Sequence, residues 1–404
     1  MAEPVIVAAA RTPIGRAFKG SLVDVRPDDM AADIVTATLA KVPGLDPSEV
    51  DDLMLGCGLP GGEQGYNMGR VVSVLARLPD VPGTTVTRYC SSSLQTIRMA
   101  AHAIKAGEGD VFVAAGVEAV SRYVKGTSDS LPDTMNPKFA GAAQRTAKRA
   151  EGGAQAWSPV SDGLPDIYIS MGETAENVAQ LEGVSREEMD EFAALSQNRA
   201  VESQKNGFFD REITAVTLPN GNVVSQDDGP RPGTTVEKLA ELNPVFRPDG
   251  RVTAGNACPL NDGAAAVVVM SDTRARDLGI TPLARILASS VTALNPEIMG
   301  LGPVEASRRV LARAGMTIDD VDLVEINEAF AAQVIPSARQ LGVEWNKLNV
   351  NGGSIAVGHP FGMTGARIMN TLLNGLATED KSVGLESMCV GGGMGMAMIV
   401  ERLG

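Results

Sequence analysis

Cysteine, histidine and aromatic side chains are all scarce in this sequence. Its four cysteines, Cys57, Cys90, Cys258 and Cys389, stand too far apart for a dense disulfide scaffold or a local zinc or iron–sulfur motif. They point instead to a reducing compartment, with the cytoplasm as the expected location. Two histidines cannot supply a histidine-rich metal site, and the carboxylates show no coordinating spacing, so no metal is expected. Two tryptophans, four tyrosines and nine phenylalanines leave the core to aliphatic residues and methionine, which disfavours an aromatic-rich sandwich. Long hydrophobic runs are missing too: the apolar stretch 5–10 is too short for a membrane helix and lacks the basic flank of a secretion signal. Positive charge is also in deficit. Thirty-five basic residues against forty-nine acidic ones give a net charge of −14, which opposes binding to nucleic acid or acidic lipid but leaves room for one basic pocket. No P-loop or complete dinucleotide fingerprint occurs, so no tightly held redox cofactor is expected.

What is present is 404 residues, 44% of them hydrophobic, enough to bury a sizeable core or two. The run 5–10 reads as a buried first strand. Arg26-Pro27-Asp28-Asp29 leads into Met30, Ile34, Val35 and Leu39, one face of a helix whose first amides Asp28 or Asp29 can cap. Residues 50–55 and 84–87 are strand candidates, the second delivering the chain to Cys90. Leu94, Ile97, Ala101 and Ile104 then recur at helical spacing up to Gly107, and 111–116 reads as a further strand. The alternation argues for an α/β fold. Residues 120–250 change texture, with a polar stretch over 128–162, helical pieces from Met171 and over 185–207, and turns at Pro219-Asn220-Gly221 and Pro232-Gly233. The α/β texture resumes with 263–270 and the helical 303–314. A weak internal repeat, offset by about 270 residues, sets 47–53 against 318–323 and strand 111–115 against 383–387. Two copies of one α/β unit would bring Cys90 from one half towards His359 from the other.

Four residues carry candidate chemistry. Cys90 lies between strand and helix, where backbone amides and the helix dipole favour thiolate; taken alone it reads equally as a buried structural cysteine. His359, in the glycine-rich loop Gly358-His359-Pro360-Phe361-Gly362, can take a proton from a neighbouring thiol, or serve as a satisfied structural histidine. Cys389 precedes Val390-Gly391-Gly392-Gly393, whose bare amides suit an oxyanion; the bland alternative is a core cysteine beside a turn. Asn327, in Asn327-Glu328-Ala329-Phe330, can donate to a carbonyl oxygen or cap the next helix.

Together these segments resemble the thiolase family over nearly the whole chain. The matching pieces, in order, are Cys90-Ser91-Ser92, Thr253-Ala254-Gly255-Asn256-Ala257, Asn261-Asp262-Gly263, Asn327-Glu328-Ala329-Phe330, Asn351-Gly352-Gly353 through Gly358-His359-Pro360, and Cys389-Val390-Gly391-Gly392-Gly393. The resemblance implies a duplicated core of two similar halves in a layered α-β-α-β-α arrangement, in homodimers or homotetramers. It implies an N-terminal half of residues 1–120 completed by 250–272, a loop domain of 121–249 over the coenzyme A site, and a C-terminal half of 273–404. It assigns Cys90 as the acyl-accepting nucleophile, His359 as its activating partner and Cys389 as the acid/base thiol. Asn327 holds a water that stabilises the enolate oxygen with His359, and the amides of Cys90 and Gly391 form a second oxyanion hole. Arg231 resembles a position that contacts the nucleotide end of coenzyme A, and Ala257 and Cys258 line the pantetheine channel, with Cys258 outside the thiol–histidine–thiol group. Arg145, Lys148 and Arg149 are further candidates for binding phosphate.

The implied reaction is thiolytic cleavage of 3-ketoacyl-CoA by coenzyme A, which enters as a substrate, placing the enzyme in fatty acid and lipid metabolism. Three departures qualify the match: Ser93 where many members have glycine, Cys258-Pro259 where biosynthetic members have Ser-Gly, and Ser170 where some short-chain members carry a histidine. They favour a degradative thiolase over an acetoacetyl-CoA synthase. A decarboxylating condensing enzyme and a non-catalytic acyl-CoA-binding protein are the other readings.

Overall fold

The computed structural model describes residues 2–129, 131–153 and 155–404; Met1, and Ser130 and Ala154 of the polar stretch, lie outside the described residues. The first half runs β1 (Pro4–Arg11), β2 (Gly15–Arg16), α1 (Pro27–Leu39), β3 (Asp52–Cys57), α2 (Met68–Leu75), β4 (Gly83–Val86), α3 (Ser92–Ala106) and β5 (Val111–Ala119). A long excursion follows, with α4 (Ala140–Ala150), α5 (Met171–Leu181), α6 (Arg186–Lys205), β6 (Val216–Thr217), β7 (Val223–Val224) and α7 (Val236–Ala240). The chain returns to the core in β8 (Asn261–Ser271) and α8 (Asp272–Asp277). The second half comprises β9 (Ala284–Ala293), α9 (Gly302–Ala314), β10 (Leu323–Ile326), α10 (Ala331–Leu341), α11 (Ser354–Val357), α12 (Thr364–Thr378), β11 (Val383–Val390) and β12 (Met394–Arg402). Among the described residues no helix is long and apolar enough to cross a membrane.

Strand order shows the duplication. The sequence β4-β3-β5-β8-β1 meets β9-β12-β11-β10 in reverse, joined where Val5 and Ile6 of β1 pair with Arg285 and Ala284 of β9. In each half a parallel pair (β3 with β5, β10 with β11) is followed by antiparallel partners (β8 and β1, or β12 and β9). Beyond β11 the chain returns to β12 through Gly391-Gly392-Gly393, whereas the matching return from β5 to β8 takes residues 120–260. The whole middle region is therefore an insertion at one hairpin of an otherwise repeated unit.

Among the described residues three large apolar cores hold five layers together, with a smaller fourth cluster around Phe208 and Phe209. α1 and α2 cover one face of the first half through Ile34, Val35 and Val72, against Leu53, Val113 and Val268. α3 and α12 form the central layer, where Ile97 and Met369 meet Val267 of β8 and Met398 of β12. α9 and α10 cover the far face through Val310 and Val334, against Leu385 and Ile399. β8 shows why its sequence is an unbroken apolar run. Ala264, Ala266, Val268 and Met270 enter the outer core, and Ala265, Val267 and Val269 the central one, so both faces of the strand are dry. Each buried valine contributes about 1.5–3 kcal/mol of transfer free energy.

The cap of α1 differs from the sequence expectation. Pro27 takes the first helical position, so Arg26 becomes the boundary residue, and neither Asp28 nor Asp29 caps. Asp28 instead accepts two bonds from the Arg26 guanidinium, at 3.0 and 2.8 Å. α6 starts with a reciprocal cap: the Ser185 hydroxyl accepts from the Glu188 N–H, and the Glu188 carboxylate accepts from the Ser185 N–H. Ser93, one of the departures, ties the central layer together, its hydroxyl accepting from the Ala366 N–H of α12 at 2.9 Å.

Candidate active site

β4 delivers the chain to Tyr89, whose φ of +42° is a left-handed conformation uncommon for a side chain with a Cβ. One 3₁₀ turn, Tyr89–Ser91, then carries Cys90 to the start of α3. The Ser92 hydroxyl closes this turn, accepting from the Arg88 N–H at 2.9 Å and donating to the Tyr89 carbonyl at 2.7 Å. Cys90 is buried, and the backbone N–H groups of Gly391 and of Cys90 itself reach its sulfur. Burial outweighs those donors. It pushes the Cys90 thiol up to about 11, with a further push from the Glu118 carboxylate. This reverses the sequence expectation of a depressed thiol pKa, because the desolvation that the helix dipole has to overcome is nearly complete.

His359 is fully buried in the loop between α11 and α12. Its N–H donates to Asn261 Oδ1 at 2.9 Å, and Asn261 Nδ2 donates to the Gly15 carbonyl at 3.0 Å, so the first half holds this loop of the second. Glu118 of β5 does the same further on, accepting from the N–H groups of Gly58 and Gly362 at 2.6 and 2.8 Å. Gln64 and Tyr123 complete its coordination at 2.8 and 2.9 Å. Burial, with help from Arg367, lowers the imidazole to about 3, leaving His359 neutral at physiological pH. Asn327 follows β10, and its Nδ2 lies 3.3 Å from His359 Nε2. It does not cap α10, which starts at Ala331.

Cys389 sits near the end of β11, opposite Gly395 of β12. Burial holds its thiol well above the ordinary value, and the Cys90 and Cys258 sulfurs add to the shift. The Cys258 thiol is likewise raised by burial and then by Cys90. Cys258 was expected outside the group of catalytic thiols; the structure puts it within electrostatic reach of both. Its N–H donates to the Ala329 carbonyl at 3.0 Å, and Ala257 bridges to Phe330, so this segment is stitched to the one bearing Asn327. Gly391 lies two residues beyond Cys389, and a methyl group added there would lie 3.4 Å from the Tyr89 ring and 3.6 Å from Met171 Sδ.

Arg231 is exposed, with Arg16 as its cationic neighbour. Its N–H donates to Gln197 Oε1 at 2.8 Å, and Gly229 packs against the Ala356 carbonyl, so the loop rests on α11. Arg145 and Arg149 are committed locally, donating to the carbonyls of Leu164 and Gln155. Sequence reasoning missed Glu118 and Glu328, the second of which accepts from Ser196, Asn349 and the Ile355 N–H. Glu328 lies inside a motif that was read; Glu118 gave no local signal.

Comparison with known proteins identifies the family. Residues 4–273 match the family model for the thiolase N-terminal domain, and 280–402 the model for the thiolase C-terminal domain. The chain belongs to the thiolase family. It is 43% identical to a beta-ketoadipyl-CoA thiolase of Acinetobacter baylyi, each chain covered in full. It is 42% identical to a 3-ketoacyl-CoA thiolase of Bacillus subtilis, with 99% of this chain and 100% of the relative covered. The dimeric peroxisomal thiolase of Saccharomyces cerevisiae superposes with a TM-score of 0.88 at 35% identity, covering 99% of this chain and 97% of that one. The fold is thus the two-part thiolase architecture, and the protein is an acyltransferase of that class.

Proposed function

We propose that this enzyme degrades 3-ketoacyl-CoA, using coenzyme A to release acetyl-CoA and an acyl-CoA shortened by two carbons. The observations that support the reading are the electrostatic coupling of the Cys90 and Cys389 sulfurs, with the Gly391 N–H at Cys90, and the 3.3 Å approach of Asn327 Nδ2 to His359 Nε2. Neutral His359 takes the Cys90 proton as the sulfur attacks the 3-keto carbon. The carbon–carbon bond then breaks, leaving an acyl group on Cys90 and an enolate of acetyl-CoA, whose oxygen meets the protonated His359 and the water that Asn327 holds. Cys389 protonates the enolate carbon. It then takes the thiol proton of free coenzyme A, whose sulfur attacks the Cys90 thioester, with the oxyanion held by the Cys90 and Gly391 amides; collapse expels the Cys90 thiolate, which recovers its proton from His359 and frees the shortened acyl-CoA.

The degradative direction is supported by the apolar wall beside Gly391 and Gly392, where Tyr89, Met171 and Ile167 offer contact to an acyl chain longer than acetyl. Arg231 and Arg16 supply positive charge for the nucleotide end of coenzyme A, over which the segment 121–249 would lie. Coenzyme A acts as substrate, with no cofactor held tightly. β4 ends the sheet with one side unpaired among the described strands, which fits assembly into a homodimer or homotetramer. Four free cysteines fit a reducing compartment, the cytoplasm.

Loss of the magnesium-enolate absorbance of acetoacetyl-CoA on adding coenzyme A tests the reaction, alongside a longer 3-ketoacyl-CoA. Cleavage of both, faster for the longer one and abolished in Cys90→Ala, is the expected result. Preference for acetoacetyl-CoA would favour the biosynthetic type, and binding without turnover an acyl-CoA-binding role.

A further inference from the structure

Behind Asn327 and His359 runs a series of hydrogen bonds whose directions are fixed by the chemistry of its two ends. Arg367 Nη2 lies 2.8 Å from Ser354 Oγ, and a guanidinium can only donate. The Ser354 oxygen therefore accepts there, and its single proton goes to Asn327 Oδ1, 2.6 Å away. That makes Oδ1 the accepting branch of the amide and turns the Nδ2 donors to His359 Nε2 at 3.3 Å. At the other end, Thr364 Oγ1 lies 2.7 Å from the Pro360 carbonyl, which can only accept. Thr364 donates to it and so accepts from His359 Nδ1–H, also at 2.7 Å. The Thr364 end demands one arrangement, and the Ser354–Asn327 bond agrees with it: the imidazole proton on Nδ1 and the lone pair on Nε2.

All five side chains are buried, so water does not compete for these bonds. Glu325 and Glu386, at paired positions of β10 and β11, act electrostatically on the buried Arg367. Asn327 presents nearly the same shape either way round, so packing alone does not choose its orientation. A reversed amide would aim oxygen lone pairs at the Nε2 lone pair, or force the ring into the tautomer that cannot take a proton there.

We propose that Ser354 and Arg367 are positioning residues of the thiolase reaction, locking the Asn327 amide with its N–H towards His359 Nε2 and the reacting oxygen. This rests on the roles proposed above for Asn327 and His359. The relay adds two residues whose side chains bond to each other and, through Ser354, to Asn327.

The test compares wild type, Ser354→Ala, Asn327→Ala and the double variant in thiolysis of acetoacetyl-CoA, with a crystal structure of Ser354→Ala. The expected kcat of Ser354→Ala is about tenfold lower, short of the hundredfold or more for outright loss of an oxyanion donor, with KM within about twofold. In the Asn327→Ala background, Ser354→Ala should change nothing further, because its effect passes through that amide. In the crystal, Asn327 Nδ2 should leave His359 Nε2. An equal loss in both backgrounds would mark a merely structural role and overturn the proposal, as would unchanged kcat in an active enzyme or an undisturbed Asn327. An inactive wild type whose Ser354→Ala crystal still shows the rotated amide would sink the catalytic reading and leave the relay standing.

Discussion

At Cys90 and His359 opposite pKa shifts share one cause: burial favours whichever form is uncharged, the thiol at about 11 and the imidazole at about 3. Both groups are therefore neutral at rest, and in the proposed reaction the proton moves only when the sulfur attacks. Since the thiol pKa is raised, the thiolate fraction grows tenfold per pH unit up to about 11. Alkylation of Cys90 by iodoacetamide should accordingly climb without a plateau from pH 7 to 10, with no step near the ordinary histidine value. A plateau beginning below pH 8 would instead reveal a preformed thiolate–imidazolium pair. At Cys389, replacement by serine should leave acylation of Cys90 measurable in a single turnover while lowering steady-state thiolysis on the order of 10²–10⁴-fold. Loss of acylation as well would show that Cys389 is needed before the carbon–carbon bond breaks, and not only to protonate the enolate and deprotonate coenzyme A. As candidates these residues were legible in the sequence through the ordered set of motifs that hold them, although each taken alone read equally as structural. Their pKa values were not, since burial depends on the whole core.

Among elements, the strands and helices of the core were legible wherever one periodicity ran uninterrupted, as in β1, α3, β8 and α9. The start of α1 was misjudged because Pro27 outranks an aspartate cap. What sequence could not display were ties such as Glu118 to Gly362 and Asn261 to His359, whose partners are brought together only by the pairing of the two halves. Those ties depend on close backbone approach. A methyl group at Gly116 would fall 2.1 Å from the Gly362 carbonyl and 2.5 Å from Ser93 Cβ. Gly116→Ala should therefore cost about 1–3 kcal/mol of stability. It should also slow thiolysis by disturbing the His359 loop; thermal unfolding and kcat measured together check both. Unchanged values would mean that the loop has slack.

For the whole molecule, the unpaired side of β4 and the net charge of −14 pull in different directions. An edge strand invites pairing, and self-repulsion discourages promiscuous association, a combination suited to one defined oligomer. Native mass spectrometry at physiological salt should give a dimer or tetramer of the 42.0 kDa chain. A monomer at micromolar concentration would remove the oligomer from the proposal. The repeat itself was visible in the sequence only as faint similarity. The insertion that separates β5 from β8, but leaves β11 and β12 joined by three glycines, hides the correspondence of the last strands.

That insertion also sets the order of events at the ribosome. β1 and β5 flank β8 and do not pair with each other. Residues 4–119 can thus be fully synthesised while the strand that unites them is still missing, for on the order of ten seconds at ordinary elongation rates. During that interval two apolar strands wait with open edges. The second half, whose corresponding strand follows its neighbour at once, meets no such delay. Nascent chains stalled before residue 260 should bind chaperones more strongly than chains released after 271, making the timing of translation part of how this catalyst is built.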